Sequence, residues 1–84
     1  MADKTTMTIH LYAILKEYFP AKIILLENSV DNIEALKKHL LILNPDSQPI
    51  LDACRFAVNN KIVQLDQSLK ATDEVSVIPP SSGG

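Results

Sequence analysis

The sequence predicts an α+β fold in which one long helix packs on one face of a mixed sheet of about five strands. Several short segments alternate apolar and polar residues, as half-buried strands do. A single longer segment places apolar residues at intervals of three and four, which is typical of an amphipathic helix. The 84 residues suffice for one small domain with one core.

The first half of the predicted sheet is an antiparallel pair. Met7, Ile9 and Leu11 alternate with polar residues and share one strand face. Residues 22–26 are rich in Ile and Leu and form the second predicted strand. Between the two strands, residues 13–18 are expected to make a short helical turn that stops before Pro20.

The long helix is predicted to begin near Asp31, because Asp31 and Glu34 have the spacing of a capping box. Pro45 is expected to end it. The apolar stripe that would face the sheet has four members, namely Ile33, Leu36, Leu40 and Leu43.

Three more strands are predicted after a loop over residues 44–49. They cover residues 55–58, 62–65 and 75–78, and Asn59-Asn60 makes the turn between the first two, since Asn tolerates positive φ. This order of elements is that of the β-grasp, or ubiquitin-like, fold. A ferredoxin-like fold would need a second long helix. We therefore predict a β-grasp domain over residues 1–78 and a projecting tail over residues 79–84.

Strand alternation also predicts which side chains are exposed. If Val75 and Val77 face the helix, Ile78 faces away, and by the same rule Ile62 faces away while Val63 and Leu65 face inward. Exposed Ile62 and Ile78, joined by Tyr12, would form an apolar patch near the tail. We interpret this patch as a surface for a protein partner.

Composition excludes several classes of function. The net charge is −2 and no basic stripe is present, so no nucleic-acid partner is expected. Cys54 is the single cysteine, so an internal disulfide is excluded. It lies just before a predicted strand, and we interpret it as a small buried apolar residue rather than a nucleophile. His10 and His39 lack neighbours at ligand spacing, so no metal site is predicted. Without an apolar leader or a membrane-length segment, the expected location is cytoplasmic.

The last residues carry the clearest functional signal. The chain contains two glycines, and both stand at its end, as Gly83 and Gly84. Pro79-Pro80 favours an extended backbone leaving the sheet, and Ser81 and Ser82 add little bulk. A tail this thin would fit a narrow channel and present the Gly84 carboxylate to the active site of another protein.

The same residues resemble a known family. A Val-Asn hairpin at residues 57–63, then Leu69, then Asp-Glu-Val at residues 73–75 and Pro-Pro-Ser-Ser-Gly-Gly at residues 79–84 resemble the MoaD family, the small subunit of molybdopterin synthase. This family belongs with ThiS to the ubiquitin-like β-grasp superfamily. The resemblance covers nearly the whole chain.

The resemblance implies a sulfur carrier. An adenylyltransferase that resembles ubiquitin-activating enzymes (MoeB-like) would use ATP to adenylate Gly84, and a sulfur donor would convert it to a thiocarboxylate. The tail would then enter the large subunit (MoaE-like) and give sulfur to cyclic pyranopterin monophosphate. The chain would be the non-catalytic, sulfur-donating subunit of a heterotetramer, with no cofactor of its own. Lys16 stands where the family often has an interface Arg.

Three alternatives remain open at this point. The chain resembles carriers for thiamine synthesis or tRNA thiolation, which share the chemistry. A ubiquitin-like modifier would attach Gly84 to lysines of other proteins. A plain interaction domain would not need the two glycines at all.

Overall fold

We describe the fold from a computed structural model, which covers residues 6–26, 30–70 and 72–80. It contains five strands, two α-helices and two short 3-10 helices. The strands are β1 (Thr6–Leu11), β2 (Lys22–Leu26), β3 (Arg55–Val58), β4 (Lys61–Val63) and β5 (Glu74–Ile78). The α-helices are α1 (Ile33–Leu43) and α2 (Gln48–Ala53), and the 3-10 helices are Ala13–Glu17 and Pro45–Ser47.

The five strands form one mixed sheet in the order β2-β1-β5-β3-β4. β1 and β5 run parallel in the centre, and the other neighbouring strands are antiparallel. Parallel neighbours need a long crossover connection, and the chain between β1 and β5 supplies it. The predicted β-grasp fold is therefore confirmed, including the antiparallel pairing of β1 with β2.

The core lies between the sheet and α1. Alternate residues of the central strands point into it, and Ile9, Val75 and Val77 are completely buried. From α1, Ile33, Leu36 and Leu40 are also completely buried. Val75 and Val77 face the helix as predicted, and the apolar stripe of α1 is confirmed at these three positions.

A polar cluster at the start of β5 fixes the neighbouring turn. Asn59 and Asn60 have φ values of 50° and 74°, as predicted for the β3–β4 turn. The Asn59 side chain donates to Asp73 Oδ1 at 2.9 Å and accepts from the Glu74 backbone N–H at 3.1 Å. Asp73 is buried, and its Oδ2 accepts from the Lys70 N–H at 2.8 Å. These bonds satisfy a carboxylate that would be costly to bury unpaired.

The predicted capping box is wrong by one position. The N-cap of α1 is Asn32, whose Oδ1 accepts from the Ala35 backbone N–H at 2.8 Å. Asp31 instead uses its carbonyl to accept from Leu69 N–H at 2.8 Å. This bond joins the residue before the N-cap to the segment that precedes β5.

The segment between α1 and β3 is also more ordered than predicted. Residues 44–49 were expected to form a loop, but a 3-10 turn at Pro45–Ser47 leads directly into α2. Pro45 and Pro49 occupy first-turn positions of these helices, where a missing N–H costs nothing. The prediction of a single helix is thus incomplete.

Two predicted core residues are exposed. Leu43 lies in the last turn of α1 and is 53% exposed, because the sheet no longer covers that end of the helix. Leu65 is 42% exposed, since β4 ends at Val63 rather than at residue 65. Ile62 and Ile78 are exposed and Val63 packs against the core, as alternation predicts.

Among the described residues, no helix combines the length and the apolar character that crossing a membrane requires.

Replacing Asn32 with Ala should lower the free energy of unfolding by about 1 kcal/mol, because the Ala35 N–H loses its acceptor. The matched control is Asp31→Ala, which keeps the backbone carbonyl that Leu69 uses and should cost less. Urea unfolding followed by circular dichroism measures both variants. A larger loss of unfolding free energy for Asp31→Ala than for Asn32→Ala would show that Asp31 caps the helix, and it would contradict the observed cap.

Candidate functional site

An apolar groove lies where β5 ends and the chain leaves the sheet. Its volume is about 480 Å³. Three of its residues, Ile78, Pro79 and Pro80, form the last strand position and the first residues beyond it. The others are Tyr12, Ala13 and Ile14 on one side and Ile50 on the other. We call these seven residues the tail-root groove.

One wall of the groove comes from α2. Ile50 is partly buried and packs against the core, which places it beside the groove. The Lys37 Nζ of α1 lies 2.9 Å from Asp52 Oδ1 of α2, so an ion pair joins the two helices. The buried Ser47 hydroxyl donates to the Asn44 carbonyl at 2.7 Å in the turn before α2. These contacts fix the helix that carries Ile50.

The opposite wall comes from the segment after β1. Ala13 has a φ of 54°, in the left-handed region that costs a non-glycine residue about 1 kcal/mol. It opens the 3-10 helix that carries Ile14. The ring of Tyr12 stacks on His10, with centroids 6.4 Å apart, and His10 Nε2 lies 3.5 Å from Glu74 Oε1. Tyr12 is thereby held on the open face of the sheet.

A second cleft lies on the other flank of the same residues. Arg55 and Ala53 line it together with Ile78, Pro79 and Pro80, and its volume is about 500 Å³. Arg55 is directly opposite Ile78 in the β3–β5 register, so the two side chains share one face of the sheet. The root of the tail therefore has an apolar flank and a flank that carries a cation.

The structure brings together four of the residues that the sequence singled out, namely Tyr12, Ile78, Pro79 and Pro80. Ile62 is exposed on the same sheet face but lies on β4, separated from β5 by β3. Lys16 is exposed on the 3-10 helix and does not line the groove. Ser81, Ser82, Gly83 and Gly84 lie outside the described residues.

Three residues of the site were missed by sequence reasoning. Ile50 follows the predicted loop over residues 44–49 and belongs to no predicted element, because the sequence pattern does not predict the short helix α2. Ile14 was assigned to a turn without a predicted face. Arg55 was counted only as the start of a strand, although alternation from Ile78 and an antiparallel pairing of β3 with β5 would have placed it beside the tail root.

The described residues offer neither a reactive thiolate nor a cluster of metal ligands. Burial raises the pKa of the Cys54 thiol to about 11, and the nearby Lys37 charge offsets only part of that rise. At neutral pH this thiol is protonated and a weak nucleophile. No group of three or more His, Cys, Asp or Glu within residues 6–26, 30–70 and 72–80 is placed to hold a metal ion. Cys54 packs against the core but is only partly buried, so the prediction of a small buried apolar residue holds in part.

Comparison with known families gives a match over most of the chain. The family model described as the ThiS family matches residues 9–84, which include Gly83 and Gly84. Among curated proteins, the chain is similar to the molybdopterin synthase sulfur carrier subunit of Chlamydomonas reinhardtii, with 38% identity over 53 residues. That alignment covers 61% of this chain and 64% of the relative, which is less than two thirds of its length.

Solved structures share the fold at low sequence identity. SAMP1, a small archaeal modifier protein from Haloferax volcanii, superposes with a TM-score of 0.77 at 20% identity and covers 94% of this chain and 99% of its own. A chain in the complex of subunits 1 and 2 of the molybdopterin-converting factor from Helicobacter pylori has a TM-score of 0.68 at 20% identity, with coverage of 94% and 99%. At this identity the two structures establish the fold alone.

Alkylation of Cys54 should be slow. A pKa near 11 instead of 9.0 lowers the thiolate fraction at pH 8 about 100-fold. Iodoacetamide should therefore modify the folded chain far more slowly than the same chain unfolded in urea, and the folded rate should still be rising at pH 10. Intact mass against time measures both rates. Equal rates at pH 8 would show an ordinary exposed thiol.

Proposed function

We propose that this chain, which belongs to the ThiS family, is the sulfur carrier subunit of a molybdopterin synthase. The observation that carries the proposal is the tail-root groove, which lies at the point where the chain leaves the sheet toward Gly83-Gly84. In a carrier of this kind, the partner protein must bind the domain near the base of the tail while Gly84 reaches the active site. An apolar groove at this base gives a partner area to bury.

The proposed chemistry takes place at the carboxylate of Gly84. A carboxylate is a poor electrophile, because its oxygen is a poor leaving group, so ATP must first convert it to an acyl adenylate. A sulfur donor then displaces AMP and leaves a thiocarboxylate. The thiocarboxylate sulfur passes to cyclic pyranopterin monophosphate and becomes part of the molybdopterin dithiolene, and water then releases Gly84 as a carboxylate by hydrolysis of its bond to that sulfur.

The chain's own residues support a carrier rather than an independent enzyme. The one cysteine has a raised pKa and packs against the core, so it is poorly suited to hold the transferred sulfur. Pro79 and Pro80 fix the direction in which the tail leaves β5. In the proposed mechanism, the Gly84 carboxylate reacts in the active site of another protein.

Two partners follow from the proposal. One is the large (MoaE-like) subunit, and the related fold in a complex of subunits 1 and 2 of a molybdopterin-converting factor supports it. We expect two small and two large subunits in the assembly. The other is a MoeB-like adenylyltransferase, which binds the ATP. Both must contact the root of the tail, so both should use the tail-root groove.

Thiocarboxylate formation is the direct test. The chain is incubated with the adenylyltransferase of the same organism, ATP and a sulfur donor, and its intact mass is measured. The mass should increase by the difference between one sulfur and one oxygen atom. A chain that lacks Gly84 is the control and should not change. An unchanged mass for the full chain, while an established carrier is converted in parallel, would overturn the proposal.

Conversion alone does not identify the pathway. The thiocarboxylated chain is therefore mixed with the large subunit and the cyclic pyranopterin, and molybdopterin formation is measured. Conversion without this product would indicate a carrier for thiamine synthesis or tRNA thiolation. Isopeptide conjugates on lysines would instead indicate a ubiquitin-like modifier.

Replacing Ile78 with Asp should weaken binding to the large subunit at least about tenfold, because a charge would be buried in the groove on association. The matched control is Ile42→Asp, which changes the same residue type at an exposed site on α1, away from the groove. Isothermal titration calorimetry measures both affinities, and thermal unfolding checks the fold. An equal loss for both variants would show that the groove has no special role.

A further inference from the structure

We propose that Arg55 binds an acidic side chain of the protein that takes up the tail, so that the tail root is recognised by charge as well as by apolar contact. This inference rests on the proposed function and names the chemistry of the partner surface. In this proposal, one carboxylate of the partner protein occupies the cleft beside Arg55. An adjacent apolar surface of the same partner fills the tail-root groove.

The position of Arg55 is fixed by the sheet. Arg55 pairs directly with Ile78, the last residue of β5, and Ala57 pairs with Ser76 two positions earlier. Arg55 therefore belongs to the open sheet face that also carries Ile78. It lies at the beginning of β3, where it lines a cleft with Pro79 and Pro80. A protein that encloses Pro79 and Pro80 would therefore lie beside the Arg55 side chain.

Within the described part of the chain, no acidic side chain forms a salt bridge with Arg55. Its charge is therefore available to another protein. The two contacts found in that part of the chain between a basic and an acidic side chain join His10 to Glu74 and Lys37 to Asp52, and neither involves Arg55. Asp52 is the acidic residue nearest to Arg55 in sequence, and Lys37 holds it at 2.9 Å. Arg55 itself is exposed.

The surroundings of Arg55 favour a carboxylate over water once the cleft is closed. Its neighbours there are Ala53, Ile78 and the two prolines, which offer little polar replacement for lost hydration. A partner that covers the cleft without an acceptor would leave a cation without compensation. A carboxylate would pair with the planar guanidinium through two hydrogen bonds, and the lower local dielectric would strengthen both.

Lys61 provides a matched comparison on the other side of the sheet. It pairs with Val58, whose side chain belongs to the core, so Lys61 belongs to the helix face of the sheet. It is an exposed cation like Arg55, but it does not line either cleft at the tail root. Changing its charge alters the net charge of the chain equally without touching the proposed contact.

The test measures binding of the purified large subunit of the same organism to the full chain by calorimetry at several salt concentrations. Arg55→Glu should raise Kd at least about tenfold, because it places two carboxylates together. Arg55→Met keeps the apolar stem, so it should raise Kd less and flatten the dependence on salt. Lys61→Glu should change Kd less than about twofold.

The outcomes separate this inference from the proposed function. If the unmodified chain binds and Arg55→Glu binds equally well, the charge contact is wrong while the carrier function stands. Equal weakening by Lys61→Glu would mean long-range attraction by net charge, and it would also overturn the contact. A large subunit that does not bind the unmodified chain overturns the proposed function and this inference together. Circular dichroism of each variant excludes a loss of fold.

Discussion

The parallel pairing of β1 with β5 is the constraint on which the rest of the structure depends. It sets the last strand of the chain between β1 and β3, with a neighbour on both sides. Val75 and Val77 are completely buried there, so β5 contributes to the centre of the core. The crossover that parallel pairing needs carries α1 over one face and leaves the other face open. The root of the tail is then fixed by a central strand of the sheet.

The register of β5 decides what the tail root presents. Side chains alternate between the two faces, so a shift by one residue would turn Ile78 toward the core and bring its neighbours to the open face. The bonds among Asn59, Asp73 and Glu74 oppose such a shift, because they join the start of β5 to the β3–β4 turn. A buried acidic residue at the start of β5 thus helps to hold the register that places Ile78 in the tail-root groove at the other end of the strand.

The sequence was a good guide where a residue's environment depends on local periodicity. The buried faces of β1, β5 and the first two turns of α1 follow from spacing alone, as do the exposed Ile62 and Ile78. It was a poor guide where elements end or meet. Leu43 continues the helical pattern beyond the area that the sheet covers, and Leu65 continues an alternation after β4 has ended. Ile50 and Arg55 become parts of one site only because α2 and β3 converge on the end of β5, which no local pattern encodes.

The placement of β5 also has a mechanical consequence. A force applied to the end of β5 along the strand axis would act across the ladder bonds to β1 and β3. Many hydrogen bonds therefore share the load in shear. If an edge strand were instead pulled away from the sheet, its hydrogen bonds would break one after another. A domain built in this way would resist unfolding by a force at the end of β5 better than a domain whose loaded strand lay at the edge of the sheet.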